Sequence, residues 1–181
     1  MNGNSFTFSN GSTISAGTMT YSWSFGDGNT STATSPTNVY AASGTYTVKL
    51  VVTSNNGCKD SVSQTVTVYP KPTPGFTVNT AAQCVNGNSF TFTNTSTISA
   101  GTMTYSWSFG DGNTSTATSP TNVYAASGTY TVKLVVTSNN GCKDSVSQSV
   151  TVYPKPTPAF TINTAAPVSY THLTLPTNRE V

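Results

Sequence analysis

The sequence is poor in the side chains that perform most enzyme chemistry. Charged residues make up 7% of the 181 positions, with seven Lys or Arg against five Asp or Glu. The chain has one His, one Arg and one Glu, and these are His172, Arg179 and Glu180 near its end. The rest of the chain therefore has too few suitable residues to build a nucleophilic triad, a zinc site or a paired-carboxylate site. We expect a protein without catalytic residues or a cofactor, and not an enzyme.

Strong net charge and long apolar runs are missing as well. The formal net charge is +2, which is too small to favour nucleic-acid binding or attraction to anionic membranes. No apolar stretch approaches the length of a transmembrane helix. These absences predict no nucleic-acid partner and no membrane insertion by this segment.

The sequence instead consists largely of one unit that occurs twice in tandem. Residues 2–82 match residues 86–166 at an offset of 84 positions, with five differences. Near-identity of this kind indicates recent duplication, so we expect a window onto a tandem array in which neighbouring repeats are one another's partners. A unit of this size can bury about 60% of its surface and fold alone.

The repeat breaks off at both ends. Comparison of the copies predicts that Phe76 and Val78 open the second unit as its first strand, and the first unit has no counterpart, which indicates truncation. From Pro167 the tail no longer follows the repeat, and residues 168–177 resemble the translation of a sequencing-library adapter. We expect residues 167–181 to be an artefact without a role in function.

Alternating polar and apolar residues predict short β-strands. Between residues 45 and 52, for example, Tyr46, Val48 and Leu50 share one face, and polar residues stand between them. No stretch shows a sustained helical period, and the high content of Ser, Thr, Asn and Gly opposes helix formation. Turn signals such as Asp-Gly, Asn-Gly and Ser-Pro separate the strands, so the pattern predicts an all-β sandwich.

Proline-rich segments separate the copies. Residues 69–74 read Tyr-Pro-Lys-Pro-Thr-Pro and recur at 153–158. Alternating prolines favour an extended, stiff segment that spaces neighbouring units along a line. The predicted organisation is a first domain over 1–70, a linker at 71–74, a complete domain over 75–154, and the linker and start of a third repeat over 155–166.

A set of aromatic, glycine and acidic residues carries a family resemblance. In the first copy the set is Trp23, Phe25, Gly26, Asp27, Gly28, Tyr40, Gly44 and Tyr46. In the second copy it is Trp107, Phe109, Gly110, Asp111, Gly112, Tyr124, Gly128 and Tyr130. The order and spacing resemble the polycystic kidney disease (PKD) domain. The resemblance implies tandem immunoglobulin-like β-sandwiches of extracellular proteins, which serve as spacer or adhesion modules and sometimes accompany the catalytic domains of secreted hydrolases.

Two pairs of positions depart from the family pattern. Ser24 and Ser108 replace the Asp that usually follows the Trp, and Asn38 and Asn122 stand where His is common. Neither departure falls among the residues expected in the core.

The Gly-Asp-Gly segments are candidates for a metal site. Asp27 with Asn29, and Asp111 with Asn113, place oxygens at alternate positions like the start of a calcium loop. The central Gly and closing Glu of an EF-hand are missing. We therefore predict a turn in which the Asp caps its own backbone, with one extracellular calcium ion per domain as the open alternative.

The aromatic residues allow two interpretations. Trp23 and Trp107 alternate with Ser, which favours a place between the two sheets over an exposed platform for stacking sugars. Tyr69 and Tyr153 have the opposite parity to the Val residues before them, so we expect them to be exposed.

The three cysteines predict an oxidising environment. We expect a Cys84–Cys142 disulfide within the intact unit, which leaves Cys58 without a partner because of the truncation. Such a bridge closes a long loop and stabilises the unit by about 4 kcal/mol in the chain-entropy model. A Cys58–Cys84 bridge across the linker is the competing possibility. Either bridge implies an extracytoplasmic location.

Two functions from different classes are consistent with these features. The first is a non-catalytic spacer segment of a secreted or cell-surface bacterial protein, in which repeats form an adhesin-like stalk and a scaffold for other surface proteins. The second is an accessory module of a secreted hydrolase that binds polysaccharide or protein substrate.

Overall fold

The computed structural model describes residues 4–163, and over that range it contains fourteen strands and no helix. The strands form two sandwich units in tandem, which confirms the prediction of an all-β fold. Nothing in this range is a helix that could cross a membrane. The predicted artefact at 167–181 lies outside the described residues.

The first unit has a four-stranded sheet facing a two-stranded one. Its strands are β1 (Ser5–Thr7), β2 (Met19–Ser24), β3 (Thr30–Ser31), β4 (Thr37–Val39), β5 (Gly44–Ser54) and β6 (Lys59–Val68). The larger sheet has the order β3-β2-β5-β6, and the smaller one pairs β1 with β4. All of these pairs are antiparallel.

The second unit repeats this plan with two further strands. Its strands are β7 (Phe76–Val78), β8 (Ala82–Cys84), β9 (Phe90–Asn94), β10 (Met103–Ser108), β11 (Thr114–Ser115), β12 (Thr121–Asn122), β13 (Gly128–Ser138) and β14 (Lys143–Tyr153). The two sheets have the orders β11-β10-β13-β14-β8 and β12-β9-β7. β8 lies parallel to β14, whereas the other pairs are antiparallel.

The strand register places the large apolar side chains between the sheets. Trp23 lies opposite Leu50 in the β2–β5 pair, and Trp107 lies opposite Leu134 in the β10–β13 pair. Successive side chains of a strand point to opposite faces, so the serines beside each Trp face solvent. Eleven buried residues make up the core cluster of the second unit, against six in the first, so the second unit has the larger core.

The difference between the cores comes from β7. Phe76 is 4% exposed, and its ring makes edge-to-face contacts with Trp107 at 5.0 Å and with Phe92 at 6.0 Å. Among residues 4–69 no strand occupies the corresponding place. Val62 of the first unit is consequently 54% exposed and lines an open groove beside the Trp23 core.

The segment between the units is bonded to the second unit. Thr73 and Thr97 exchange two backbone hydrogen bonds of 2.8 and 3.0 Å. Lys71 Nζ lies 2.7 Å from Asp144 Oδ2, and Pro72 is buried. The prolines therefore give a docked connection between the units.

Replacing Phe76 by alanine tests how much β7 contributes to the core. We expect F76A to destabilise the second unit by about 3–5 kcal/mol, because the change removes a fully packed ring. Phe160 is the counterpart of Phe76 in the next repeat and is 86% exposed, so F160A is a matched control with an expected effect below about 0.5 kcal/mol. Urea denaturation measures both values, and equal effects of the two changes would contradict the assignment of β7 to the core.

Candidate functional site: the Gly-Asp-Gly turns and the aromatic core

Each Gly-Asp-Gly segment forms a tight turn, which follows β2 in the first unit and β10 in the second. Gly26 and Gly28 have φ values of +81° and +94°, which residues with a Cβ rarely adopt. A Cβ on Gly26 would lie 2.7 Å from the backbone oxygen of Thr47, so the turn passes directly against β5. A hydrogen bond of 3.1 Å from the Phe25 N–H to the Asn29 carbonyl closes the turn.

The carboxylate of the turn accepts hydrogen bonds from three N–H groups. Asp27 Oδ1 accepts one from the backbone N–H of Asn29 at 3.0 Å. Asp27 Oδ2 accepts two, from the side-chain amides of Asn29 at 3.0 Å and Asn38 at 2.8 Å. The second unit repeats the three bonds at 2.9 Å each with Asp111, Asn113 and Asn122, between Gly110 and Gly112 of its own turn.

Sequence reasoning missed the role of Asn38 and Asn122, which stood out only as departures from the family pattern. Both side chains are buried. An amide fits this place because Nδ2 of Asn38 donates to the aspartate while its Oδ1 accepts from Asn29 at 3.1 Å. The available signal was a polar residue at the inward position of β4, between the exposed Thr37 and Val39.

Hydrogen bonding lowers the pKa of both turn carboxyl groups. For Asp27 the main cause is the side-chain amide of Asn38. For Asp111 the largest effect is burial, which by itself would raise the pKa, but the hydrogen bonds from Asn122 and Asn113 together outweigh it and the pKa is lowered. Both carboxylates are therefore charged at neutral pH.

The turn is better suited to holding the backbone than to holding a cation. Calcium binds carboxylate and carbonyl oxygens, whereas the aspartates of the turns face N–H donors. Within the described residues no group of three or more His, Cys, Asp or Glu side chains could hold a metal ion. Calcium binding by Asp27, Asn29, Asp111 and Asn113 stays an untested alternative.

A buried tyrosine joins the turn to the core. Tyr124 is 1% exposed, and its hydroxyl donates a hydrogen bond of 2.9 Å to the Phe109 carbonyl just before the turn. Its ring stacks on Tyr130 at 4.1 Å, beside Gly128. Burial raises the pKa of Tyr124 to about 12. The first unit repeats this arrangement with Tyr40, Phe25, Tyr46 and Gly44.

The two tryptophans lie inside the sandwich. Trp23 is 6% and Trp107 is 1% exposed. Their indole N–H groups donate to the carbonyls of Ala33 and Ala117 at 3.0 and 2.9 Å. Because so little of either ring reaches solvent, neither indole offers a free face for stacking on a sugar.

The aromatic residues that do reach the surface are scattered. Tyr69 and Tyr153 are 51% and 54% exposed, and each follows the buried valine that ends the inward face of its strand. They lie one per unit at corresponding places, so they do not form a row on one face of a unit. Neither tyrosine therefore belongs to an aligned aromatic platform of the kind that a polysaccharide-binding surface uses.

The cysteines of the second unit lie at opposite ends of it. The three thiols of the chain are free. Cys84 lies opposite Tyr153 in the β8–β14 pair, whereas Cys142 immediately precedes β14. The length of β14 separates them by about 36 Å at ~3.3 Å per residue, while a disulfide needs Cα atoms about 4.4–6.8 Å apart. The fold thus corrects the sequence prediction, because a Cys84–Cys142 disulfide cannot form within one unit.

Removing the phenol of Tyr124 tests its role in fixing the turn. We expect Y124F to destabilise the second unit by about 1 kcal/mol, because the Phe109 carbonyl loses its donor. A raised pKa means that the phenol stabilises the fold fully below pH 10 and that this contribution is lost as the pH rises towards about 12. Thermal unfolding between pH 8 and 12 should show a smaller alkaline loss in Y124F than in the parent. Y153F, at an exposed position, should behave as the parent.

Replacing Asn122 by alanine tests the carboxylate cluster. A lowered Asp pKa stabilises the fold above the unfolded-state value of about 4, and this stability is lost as the pH falls through the folded-state value. We expect N122A to raise the pKa of Asp111 and to move the acid loss of stability to higher pH. Carboxyl chemical shifts followed by NMR from pH 2 to 6 measure the pKa directly. N86A, at an exposed position, should leave the titration unchanged; an unchanged Asp111 titration in N122A would contradict the assigned bond.

Sequence comparison finds relatives that match short parts of larger proteins. The chain is 53% identical over 55 residues to collagenase ColA of Bacillus cereus, which covers 30% of the chain and 6% of the collagenase. It is 44% identical over 50 residues to the pre-pro-metalloprotease PrtV of Vibrio cholerae, which covers 28% of the chain and 5% of that protein. The chain thus spans a small fraction of the length of these relatives.

Structure comparison finds partial matches to solved single domains. The crystal structure of the PKD1 domain of Vibrio anguillarum Epp has 28% identity and a TM-score of 0.43, and the match covers 49% of the chain and 100% of the domain. The PKD1 domain of Vibrio cholerae PrtV has 33% identity and a TM-score of 0.41, with 48% and 99% covered. The family model described as "PKD domain" matches residues 2–69 and again 70–153. With most of its length matched in two consecutive segments, the chain belongs to the PKD domain family.

Proposed function

We propose that this chain is a non-catalytic segment of a repeat protein that is secreted or displayed on a bacterial cell surface, where successive units form an adhesin-like stalk. The observation that carries the proposal is the docked connection between two near-identical units. Lys71 and Thr73 bond the connecting segment to the second unit, so from Lys71 onwards the segment is held against that unit. Units joined in this way extend in proportion to their number.

The surface of the described residues supports a scaffold role. The aromatic residues of the motif lie inside the sandwiches, and the turn aspartates accept hydrogen bonds from neighbouring amides. What remains outside is mostly Ser and Thr with few charges, which keeps an extended chain soluble without creating a strong binding patch. The proposed partners are first the neighbouring repeats, and beyond them other surface proteins or polysaccharide.

The relatives support an extracellular location. A collagenase acts on collagen, which is an extracellular substrate, and the match to ColA covers 30% of the chain. We infer from this similarity that this chain also functions outside the cell.

A second candidate is an accessory module of a secreted hydrolase, and the matches to ColA and PrtV favour it. In that role the units would hold a catalytic domain near a polymer. This candidate requires a binding surface other than the tryptophans, because both indoles are buried.

Small-angle X-ray scattering on chains with increasing numbers of the 70–153 unit tests the stalk. We expect the maximum dimension to increase by a constant step of roughly 36 Å or more per unit, since β14 alone has that length at ~3.3 Å per residue. A dimension that grows only as the square root of the number of units would show flexible joints and contradict the proposal.

Binding assays with insoluble collagen and cellulose separate the two candidates. The stalk predicts no retention on either polymer and unchanged Trp fluorescence when soluble polysaccharide is added. Retention on one polymer would favour the accessory module. Long single-molecule reads of the gene give an independent answer, because they show whether many units precede an anchor or a few precede a catalytic domain.

A further inference from the structure

The junction between the units brings together two places that carry cysteine in this repeat. A cleft at the junction is lined on one side by the end of the first unit, including Val68 and Tyr69. On the other side it is lined by the turn between β13 and β14, including Asn140 and Cys142. Cys142 therefore lies across the cleft from the end of the preceding unit.

The second unit shows which residue occupies that place. At its far end Cys84 lies opposite Tyr153 in the parallel β8–β14 pair, and the Val85 N–H bonds to the Tyr153 carbonyl at 2.8 Å. Neighbouring strands lie about 4.8 Å apart. Tyr69 is the counterpart of Tyr153 at the offset of 84. A unit that has its own β8 therefore places a cysteine beside the tyrosine that lines the junction cleft.

Comparison of the two copies shows that the junction covers this end of the following unit. Cys142 is half-buried, whereas its counterpart Cys58 is exposed. Ile98 is likewise half-buried, whereas its counterpart Ile14 is 40% exposed. These pairs have the same sequence surroundings, so the difference comes from the first unit together with the connecting segment, which bonds to Thr97 next to Ile98.

Local bonds hold Cys142 in position at the cleft. Its backbone N–H bonds to Ser138 Oγ at 3.1 Å, and its carbonyl accepts from the Ser138 N–H at 2.9 Å. Beside it, the Lys71–Asp144 ion pair ties the connecting segment to the same end of β14. The cysteine therefore sits on a fixed turn against a docked connection, which is the kind of pre-organisation that disulfide geometry needs.

We propose that Cys84 of one unit and the counterpart of Cys142 in the next unit form a disulfide that crosses the junction. The proposal rests on the proposed array, in which every unit after the first has such a neighbour. The oxidant is a low-molecular-weight disulfide such as oxidised glutathione. Two protein thiols exchange with it in two steps, so that one protein S–S bond forms, the S–S bond of glutathione breaks, and two reduced glutathione molecules leave with the protons.

The other pairings fail on position. Cys84 and Cys142 of one unit are separated by the length of β14, as described above. Cys58 lies at the turn end of the first unit and Cys84 at the far end of the second. A Cys58–Cys84 bridge would have to span both units. The fold therefore does not allow this competing pairing.

A chain lengthened by one unit tests the proposal. Residues 70–153 are repeated once directly after Tyr153, which gives a chain with five cysteines. In each variant three of the five are replaced by serine so that two remain. The test chain keeps Cys84 and the added unit's counterpart of Cys142. One control keeps Cys84 and Cys142, and a second keeps Cys58 and Cys84. All are refolded in a reduced and oxidised glutathione buffer at low protein concentration.

Intact mass and titration of free thiols give the result. The test chain should lose both titratable thiols as a monomer with a mass 2 Da lower, and dithiothreitol should restore them. Both control chains should keep two thiols, free or carrying glutathione. Free thiols in a folded test chain, or a bridge in the Cys84 and Cys142 control, would overturn the proposal.

The outcome is separable from the stalk proposal. Scattering reports whether the units extend, with or without a bridge, and thiol titration reports which cysteines meet. A rigid rod with free thiols would reject this inference alone, whereas a bridged but compact chain would reject the stalk alone. Serine at these positions is a mild change because the thiols are exposed or half-buried, and β-sheet content by circular dichroism verifies folding of each chain.

Discussion

The packing of one tryptophan between two sheets is the constraint on which each unit depends. Trp107 projects from the larger sheet and contacts Phe76 and Phe92 of the smaller one, and its indole N–H reaches the Ala117 carbonyl. The ring therefore fixes the distance between the sheets and the path of the loop that follows β11. The turn next to it is then forced to pass against β13, which is why glycine stands at Gly110. The buried tyrosine and the Asp-Asn cluster complete the same corner of the sandwich. A motif that looks like a site in the sequence is thus the structural centre of the domain.

Much of the fold could be predicted because antiparallel strands have a strict period of two. The alternation around Tyr46 and Trp23 identified inward and outward faces, and the Gly-Asp-Gly segments marked turns by the φ values that only glycine adopts readily. These features depend on residues close together in the chain. The aromatic motif and its spacing then gave the family, which the match to the PKD domain confirms.

The features that sequence reasoning missed depend on contacts between distant segments. Asn38 reaches Asp27 from another strand, so no local pattern signals that amide. The short strand Ala82–Cys84 leaves the small sheet and joins the edge of the large one, which moves Cys84 to the opposite end of the unit from Cys142. Two cysteines in one repeat suggest one bridge per repeat by simple counting, but the register decides their positions. The proline content of the segment before Phe76 predicted a stiff connection. The bonds between this segment and the second unit depend on the fold and have no signal in the local sequence.

The parallel pairing of β8 with β14 determines how a unit responds to force. In the proposed array, tension would pull on the entry segment before β7 and on the exit strand β14 in opposite directions. Because β8 and β14 run parallel, this pull loads their hydrogen bonds, such as Thr151 N–H to Ala81 and Val85 N–H to Tyr153, in shear and all at once. An antiparallel hairpin at the same place would open one bond at a time. The short β8 strand therefore acts as a clamp that resists extension, and it does so at the edge where the chain leaves for the next unit.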